Sequence, residues 1–176
     1  MLIKLSTNER LVLFNQYEIL KNLSMDKHDK ERYEYYQTIL HNGFKHEYCE
    51  LLQGMDNEIP ENISEFVWEV FKLYRTLYNS YYELSDDEKL QIDKDDIKYE
   101  GFDGNEEGDY YSYANFILQD MKRFEDIYDN GKVSLNSHSN KVDQYSCMLA
   151  KWKEIRTGEY SLLGLDEIKS IVEWYK

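Results

Sequence analysis

The sequence predicts an all-α fold, a multihelical domain of six to eight helices around one long central helix at about residues 60–84. Three observations predict it. Apolar residues recur at three- and four-residue spacings along most of the chain, which is the period of one helix face. Serine or aspartate followed three residues later by glutamate, a helix-start signature, occurs at Ser6–Glu9, Ser85–Glu88 and Asp103–Glu106. No alternating apolar and polar run is long enough to make a convincing strand.

The first helix is expected from about Asn8 to Asn22, with Leu13, Tyr17 and Leu20 on one face and Val12, Ile19 and Leu23 beside it. The second runs from about Lys27 to Asn42, between Asp26 as N-cap and Gly43 as stop. A short helix over Lys45 to Leu52 follows. Pro60 suits the first turn of the central helix. There Ile63, Val67, Val70, Tyr74, Leu77, Tyr81 and Leu84 form the stripe, and Phe66, Phe71, Leu73 and Tyr78 widen it. Trp68 and Tyr82 sit at the edge of the polar arc. So wide an apolar band suits a helix packed on two sides, or one that also serves a subunit interface.

After a short helix at Asp86 to Gln91, the acidic stretch from Asp93 to Asp109 reads as a long connection. The whole of 1–176 is taken as one helical domain, with any seam between two subdomains expected near 85–105. A further helix is expected from about Asn105 to Tyr128, carrying Tyr113, Ile117, Met121 and Phe124 on its inner face. Two more are expected at Lys141 to Thr157 and Leu165 to Tyr175.

The composition, 41% hydrophobic and 32% charged over 176 residues, is that of a folded globular chain. Seventeen tyrosines, one proline and two alanines suggest the codon bias of an AT-rich, bacterial genome. With so little alanine, helix stability must come from burying faces rather than from propensity. The net charge of −14 argues against nucleic acid bound over a broad face and against an anionic membrane surface. Residues 1–10 do not read as a signal peptide, and no apolar run approaches the roughly 18 residues of a membrane span. A cytoplasmic location is therefore expected, with Cys49 and Cys147 as unpaired, buried thiols.

Several blocks, in order, resemble the YfbU family. They are Glu9 through Tyr17; Glu31-Arg32-Tyr33 with Gln37-Thr38-Ile39 and Gly43-Phe44; Leu73 through Leu77; Gly101-Phe102-Asp103 leading into a helix with Tyr113 and Phe116; and Tyr145 through Trp152. The blocks span roughly residues 7 to 155, whereas Glu159 to Lys176 and the loop before Pro60 match loosely. The resemblance implies an all-helical fold and self-association. It implies no activity, and it carries over no catalytic residue.

Chemical motifs are sparse. Asp103, Asn105, Glu107 and Gly108 fall at calcium-loop positions, but position 12 is Ala114 and the closing carboxylate is missing. An acidic helix start explains them better. His46 and Cys49 share a helical spacing, yet two ligands do not make a zinc site. Glu47 and Glu50 flank Cys49 and oppose its activation as a nucleophile. No Gly-rich phosphate loop is present.

No metal and no cofactor is therefore expected. The residues singled out are a polar network or interface of Arg10, Asn15, Gln16, Tyr17 and Arg32, with Trp68 and Tyr82 at an interface edge. Gly101, Phe102 and Asp103 are expected to form a docking turn. The function expected is a non-catalytic, homo-oligomeric interaction or regulatory protein. The alternatives are a metal-assisted hydrolase using clustered carboxylates and an acidic mimic of nucleic acid.

Overall fold

The computed structural model describes residues 4–127, 135–158 and 161–173. The fold is all-α. Its helices are α1 (Thr7–Leu23), α2 (Lys27–Asn42), a 3-10 segment (Lys45–Leu52), α3 (Glu61–Glu83), α4 (Asp86–Lys89), α5 (Gly108–Asn115), α6 (Val142–Ile155) and α7 (Leu165–Val172). α5 runs on into a π-helical turn, Phe116–Asp120. The described residues contain no strand, only an isolated bridge between Phe102 and Asn136.

The chain forms two compact units, 1–57 and 58–176. The seam therefore lies at Asn57 and Glu58 rather than near 85–105. The reason is that Ile92, Ile97 and Tyr99, within the acidic connection, are buried in the core of the second unit.

In the first unit, the three residues between α1 and α2 allow only a tight reversal, so the two helices lie antiparallel. Ser6 and Glu9 cap α1 reciprocally, the Ser6 N–H donating to Glu9 Oε2 at 2.7 Å and the Glu9 N–H to Ser6 Oγ at 3.3 Å. Asp26 caps α2, and Gly43 ends it at φ 68°. The buried core is small: Tyr36, Ile39, Leu40 and Tyr48 among the described residues, with Leu5, Tyr17, Tyr33 and Leu51 packed against Tyr36, Ile39 and Tyr48.

In the second unit α3 is the central element, as its stripe predicts. Val67, Val70, Phe71, Leu73, Tyr74 and Leu77 are buried, and α5, α6 and α7 pack against it. Thr76, expected on the polar arc, is also buried and returns its hydroxyl to the Lys72 carbonyl at 2.9 Å. Ser80 is buried too, and its hydroxyl accepts from the Leu163 N–H at 2.9 Å.

The expected Asn105–Tyr128 helix is much shorter than its apolar period suggests. It begins at Gly108, leaves α geometry at Phe116 and ends at Asp120. Beyond it Lys122 and Phe124 are left-handed, at φ 51° and 60°. Phe124 is still buried, but it reaches the core from irregular backbone. Tyr128 and Tyr175, the expected ends of two helices, lie outside the described residues.

The chain at 101 approaches another backbone closely. Gly101 has φ 91°, and a Cβ there would collide with the Leu135 carbonyl. Gly101→Ala is therefore expected to cost about 3 kcal/mol or more. Gly108→Ala, where a Cβ would meet nothing within 4 Å, should change stability by less than about 1 kcal/mol. Urea unfolding of both variants against the wild type checks the contrast.

Candidate functional site

The polar residues of α1 fall into two groups. Tyr17 faces α2, its ring 5.9 Å from Tyr33 and 5.1 Å from Tyr36. Arg10 donates from Nη1 to the Leu40 carbonyl at 3.0 Å. Arg32 pairs with Asp29 at 2.8 Å and lies 5.6 Å from the Tyr33 ring centroid. Asn15 and Gln16 instead point outward and are exposed.

The polar link across the α1–α2 seam is made by residues that sequence reasoning did not single out. Gln37 donates to Glu18 Oε2 at 2.8 Å, and Lys21 sits 2.9 Å from the same oxygen. Lys21 also donates to Gln37 Oε1 at 3.3 Å. The 4-3 spacing of Phe14, Glu18 and Lys21 along α1 was the available signal.

The outward arc of α1 carries the largest exposed apolar side chains of this helix. Leu11, Val12, Ile19, Leu20 and Leu23 are 58%, 55%, 59%, 43% and 73% exposed. At about 100° per residue they share one half of the helix with Asn8, Asn15, Gln16 and Asn22. The one charged side chain on that half is Glu9, whose carboxylate is turned back onto Ser6. The sequence reading put Leu20 on one face with Leu13 and Tyr17; in the structure Leu20 is exposed, and it is the Tyr17 side, with Phe14 and Lys21, that meets α2.

In the second unit, Gly101, Phe102 and Asp103 are buried. Phe102 is fully buried between Tyr99, Tyr110 and Tyr145. Its N–H donates to the Leu135 carbonyl at 3.2 Å, and its carbonyl accepts from Ser137 at 3.1 Å. The Tyr145 hydroxyl donates to the Gly101 carbonyl at 2.9 Å. Asp103 does not share a capping box with Glu106. Its Oδ1 accepts from the Asn105 N–H at 2.8 Å, and Glu107 is the carboxylate that reaches back, to the Asp103 N–H at 2.9 Å. The other oxygen of Glu107 accepts from the N–H groups of Lys141 and Val142, both at 2.7 Å. A turn over 103–107, with the helix opening only at Gly108, shifts the reciprocal bond by one residue.

Trp68 donates from Nε1 to the Tyr113 hydroxyl at 3.1 Å and packs edge-on to Phe124 at 5.5 Å. Tyr82 is 47% exposed, with the Lys94 ammonium 5.6 Å from its ring. Hydrogen bonding with Tyr78, and then with Lys94, pulls its hydroxyl below the usual phenol range. Tyr145 and Tyr99 shift the other way, because burial holds their hydroxyls well above it.

Cys49, expected to be buried, is exposed; Cys147 is half-buried and both are free thiols. Among the described residues no three His, Cys, Asp or Glu side chains are placed to hold a metal ion, and no helix is long and apolar enough to cross a membrane.

The Glu18 link carries a pH signature. Hydrogen bonds from Gln37, then from Lys21 and Asn22, hold its carboxyl at about 2, against an ordinary 4.5. A depressed folded-state value means the link is complete above about pH 4.5 and is lost as pH falls toward 2. A carboxyl-carbon NMR titration should place Glu18 near 2, and Gln37→Leu should move it up toward the ordinary carboxylate range. An unshifted Glu18 in the wild type would contradict the geometry.

Comparison with known proteins gives two findings. The family model described as the YfbU domain matches residues 3–173. The UPF0304 protein MJECS11 of Methanocaldococcus jannaschii is 31% identical over 160 residues, covering 90% of this chain and 93% of that protein.

Proposed function

This chain belongs to the YfbU family, and from that premise we propose that it is a non-catalytic interaction or regulatory protein. It acts as a self-associated assembly in which the outward faces of α1 from two copies pack together. It does this in the cytoplasm, where its two free cysteines stay reduced.

The observation that carries this reading is the uncharged apolar arc of α1. The five exposed aliphatic side chains leave on the order of 500 Å² of apolar surface in water, near the top of what a monomer shows in one patch. Two such faces, with their amide side chains, reach the roughly 1,200 Å² at which specific interfaces begin. A second copy is the occupant that fits best. With a chain charge of −14, two copies repel at long range, and an arc free of outward charge is where they approach at least cost. Asn15 and Gln16 both donate and accept, so an antiparallel two-fold crossing pairs amides with amides.

Val12→Glu combined with Ile19→Glu tests it. Both positions are exposed, so the helix should persist by circular dichroism. Sedimentation at micromolar concentrations should give a dimer or larger for the wild type and a monomer for the variant. A monomeric wild type, whether its α1 amides exchange freely or are protected by another part of the same chain, overturns the reading. So does an unchanged mass in the variant.

A further inference from the structure

We infer that the second unit holds a binding site for a multivalent small-molecule oxyanion, in the cleft where α3 meets the segment that follows the π-turn. The cleft has a volume of about 540 Å³ and is walled by Trp68, Lys72, Arg75, Lys122, Arg123 and Phe124 among others. That is within the roughly 300–1,000 Å³ range of pockets that take small ligands.

Its charge runs against the rest of the chain. Lys72, Arg75, Lys122 and Arg123 line it against two acids, Glu125 and Asp126, in a chain of net charge −14. A positive cleft in a negative field concentrates anions locally. This patch is not one that a run of basic residues announces; Lys122-Arg123 and Lys72 with Arg75 come together only in the fold.

The cations are also held in place. The Arg75 guanidinium lies 4.0 Å from the Phe124 ring centroid and is forked onto Asp126, Nε to Oδ2 at 2.7 Å and Nη2 to Oδ1 at 2.5 Å. The Arg123 guanidinium lies 5.6 Å from the Trp68 ring. Trp68 is itself fixed by its bond to Tyr113. Stacked, planar guanidiniums lose little freedom when they bind an oxyanion.

The backbone is shaped to the same end. Lys122 and Phe124 adopt left-handed φ on either side of Arg123. For a bulky aromatic that conformation costs energy and is kept only where surrounding contacts impose it. Here it sends the Phe124 ring into the core while Lys122 and Arg123 stay exposed at the cleft. Among the described residues, no carboxylate pairs with either of these two cations.

The ligand chemistry that fits is two or more oxyanion groups on one small molecule, either phosphates or carboxylates. The site is confined to the second unit and does not depend on α1.

Isothermal titration of the full chain with pyrophosphate and, separately, with citrate tests this, at constant ionic strength set with sodium chloride. Saturable one-to-one binding of pyrophosphate in preference to citrate assigns a phosphate-bearing ligand, and the reverse assigns a polycarboxylate. Lys122→Gln and Arg123→Gln, both at exposed positions, should each weaken binding by about tenfold, while Lys27→Gln in the first unit should not. Absence of saturable binding by either probe overturns the inference. Equal binding by wild type and both cleft variants overturns it as well.

Discussion

Three backbone N–H groups, from Asp103, Lys141 and Val142, converge on the carboxylate of Glu107, and the second unit depends on that convergence. α6 begins at Val142, and its N-cap residue, Lys141, supplies no side-chain cap. A buried carboxylate 34 residues earlier in the chain supplies the cap, where the helix dipole favours a negative charge. The same side chain closes the turn that carries Phe102 into the core. Tyr145, one turn inside α6, completes the tie through the Gly101 carbonyl. The chain segments at 101–107 and 135–142 are thus joined by polar contacts that satisfy the Phe102 N–H and the Gly101 and Phe102 carbonyls.

This tie matters because the connection it anchors has little else to hold it. Residues 83–109 contain twelve carboxylates against three lysines. Such a stretch buries little apolar surface, and its charges repel one another. Four side chains, Ile92, Ile97, Tyr99 and Phe102, bring it to the core. Most of the remaining acids face water. Cations gather elsewhere in the unit: Glu69 alone has Lys72, Lys153 and Arg156 within 4.0 Å. Outside the acidic connection the second unit thus brings cations together, which is what makes a locally positive cleft compatible with a strongly acidic chain.

Helix positions were legible wherever period and punctuation agreed. Asp26 and Gly43 fixed α2 to the residue, and Pro60 with a long regular stripe fixed α3. Reading failed where periodicity recorded burial rather than helicity. Met121, expected on the inner face, is exposed because the π-turn ends just before it, while Tyr113, Ile117 and Phe124 keep a helical spacing through that turn and two left-handed residues. The pattern cannot register either, since a π-turn inserts a residue and Phe124 reaches the core by another route. Glu107 was missed because the capping spacing selected Glu106, a correct rule applied to a turn that is not yet helix. At 101–103 Gly, Phe and Asp each answer to a separate physical demand at adjacent positions: a φ of 91°, a buried ring and a side chain that accepts from the Asn105 N–H. The cleft was not legible, since its cations lie some fifty residues apart in sequence.

The α1 face is a different kind of ambiguity. Leu13, Tyr17, Val12, Ile19 and Leu23 all read as apolar positions on one helix, and pattern alone cannot say which side meets its own chain. The structure puts Tyr17 against α2 and leaves Val12, Ile19 and Leu23 in water. A unit of 57 residues in which the buried apolar side chains, among the described residues, are Tyr36, Ile39, Leu40 and Tyr48 has little hydrophobic stabilisation to spare, since small cores rarely supply more than about 3–5 kcal/mol. Covering the outward arc would add burial on a scale comparable to that core. On the self-association reading, the folding of the first unit and its assembly are coupled equilibria, so the stability of α1 and α2 should rise with protein concentration while that of the better-buried second unit should not.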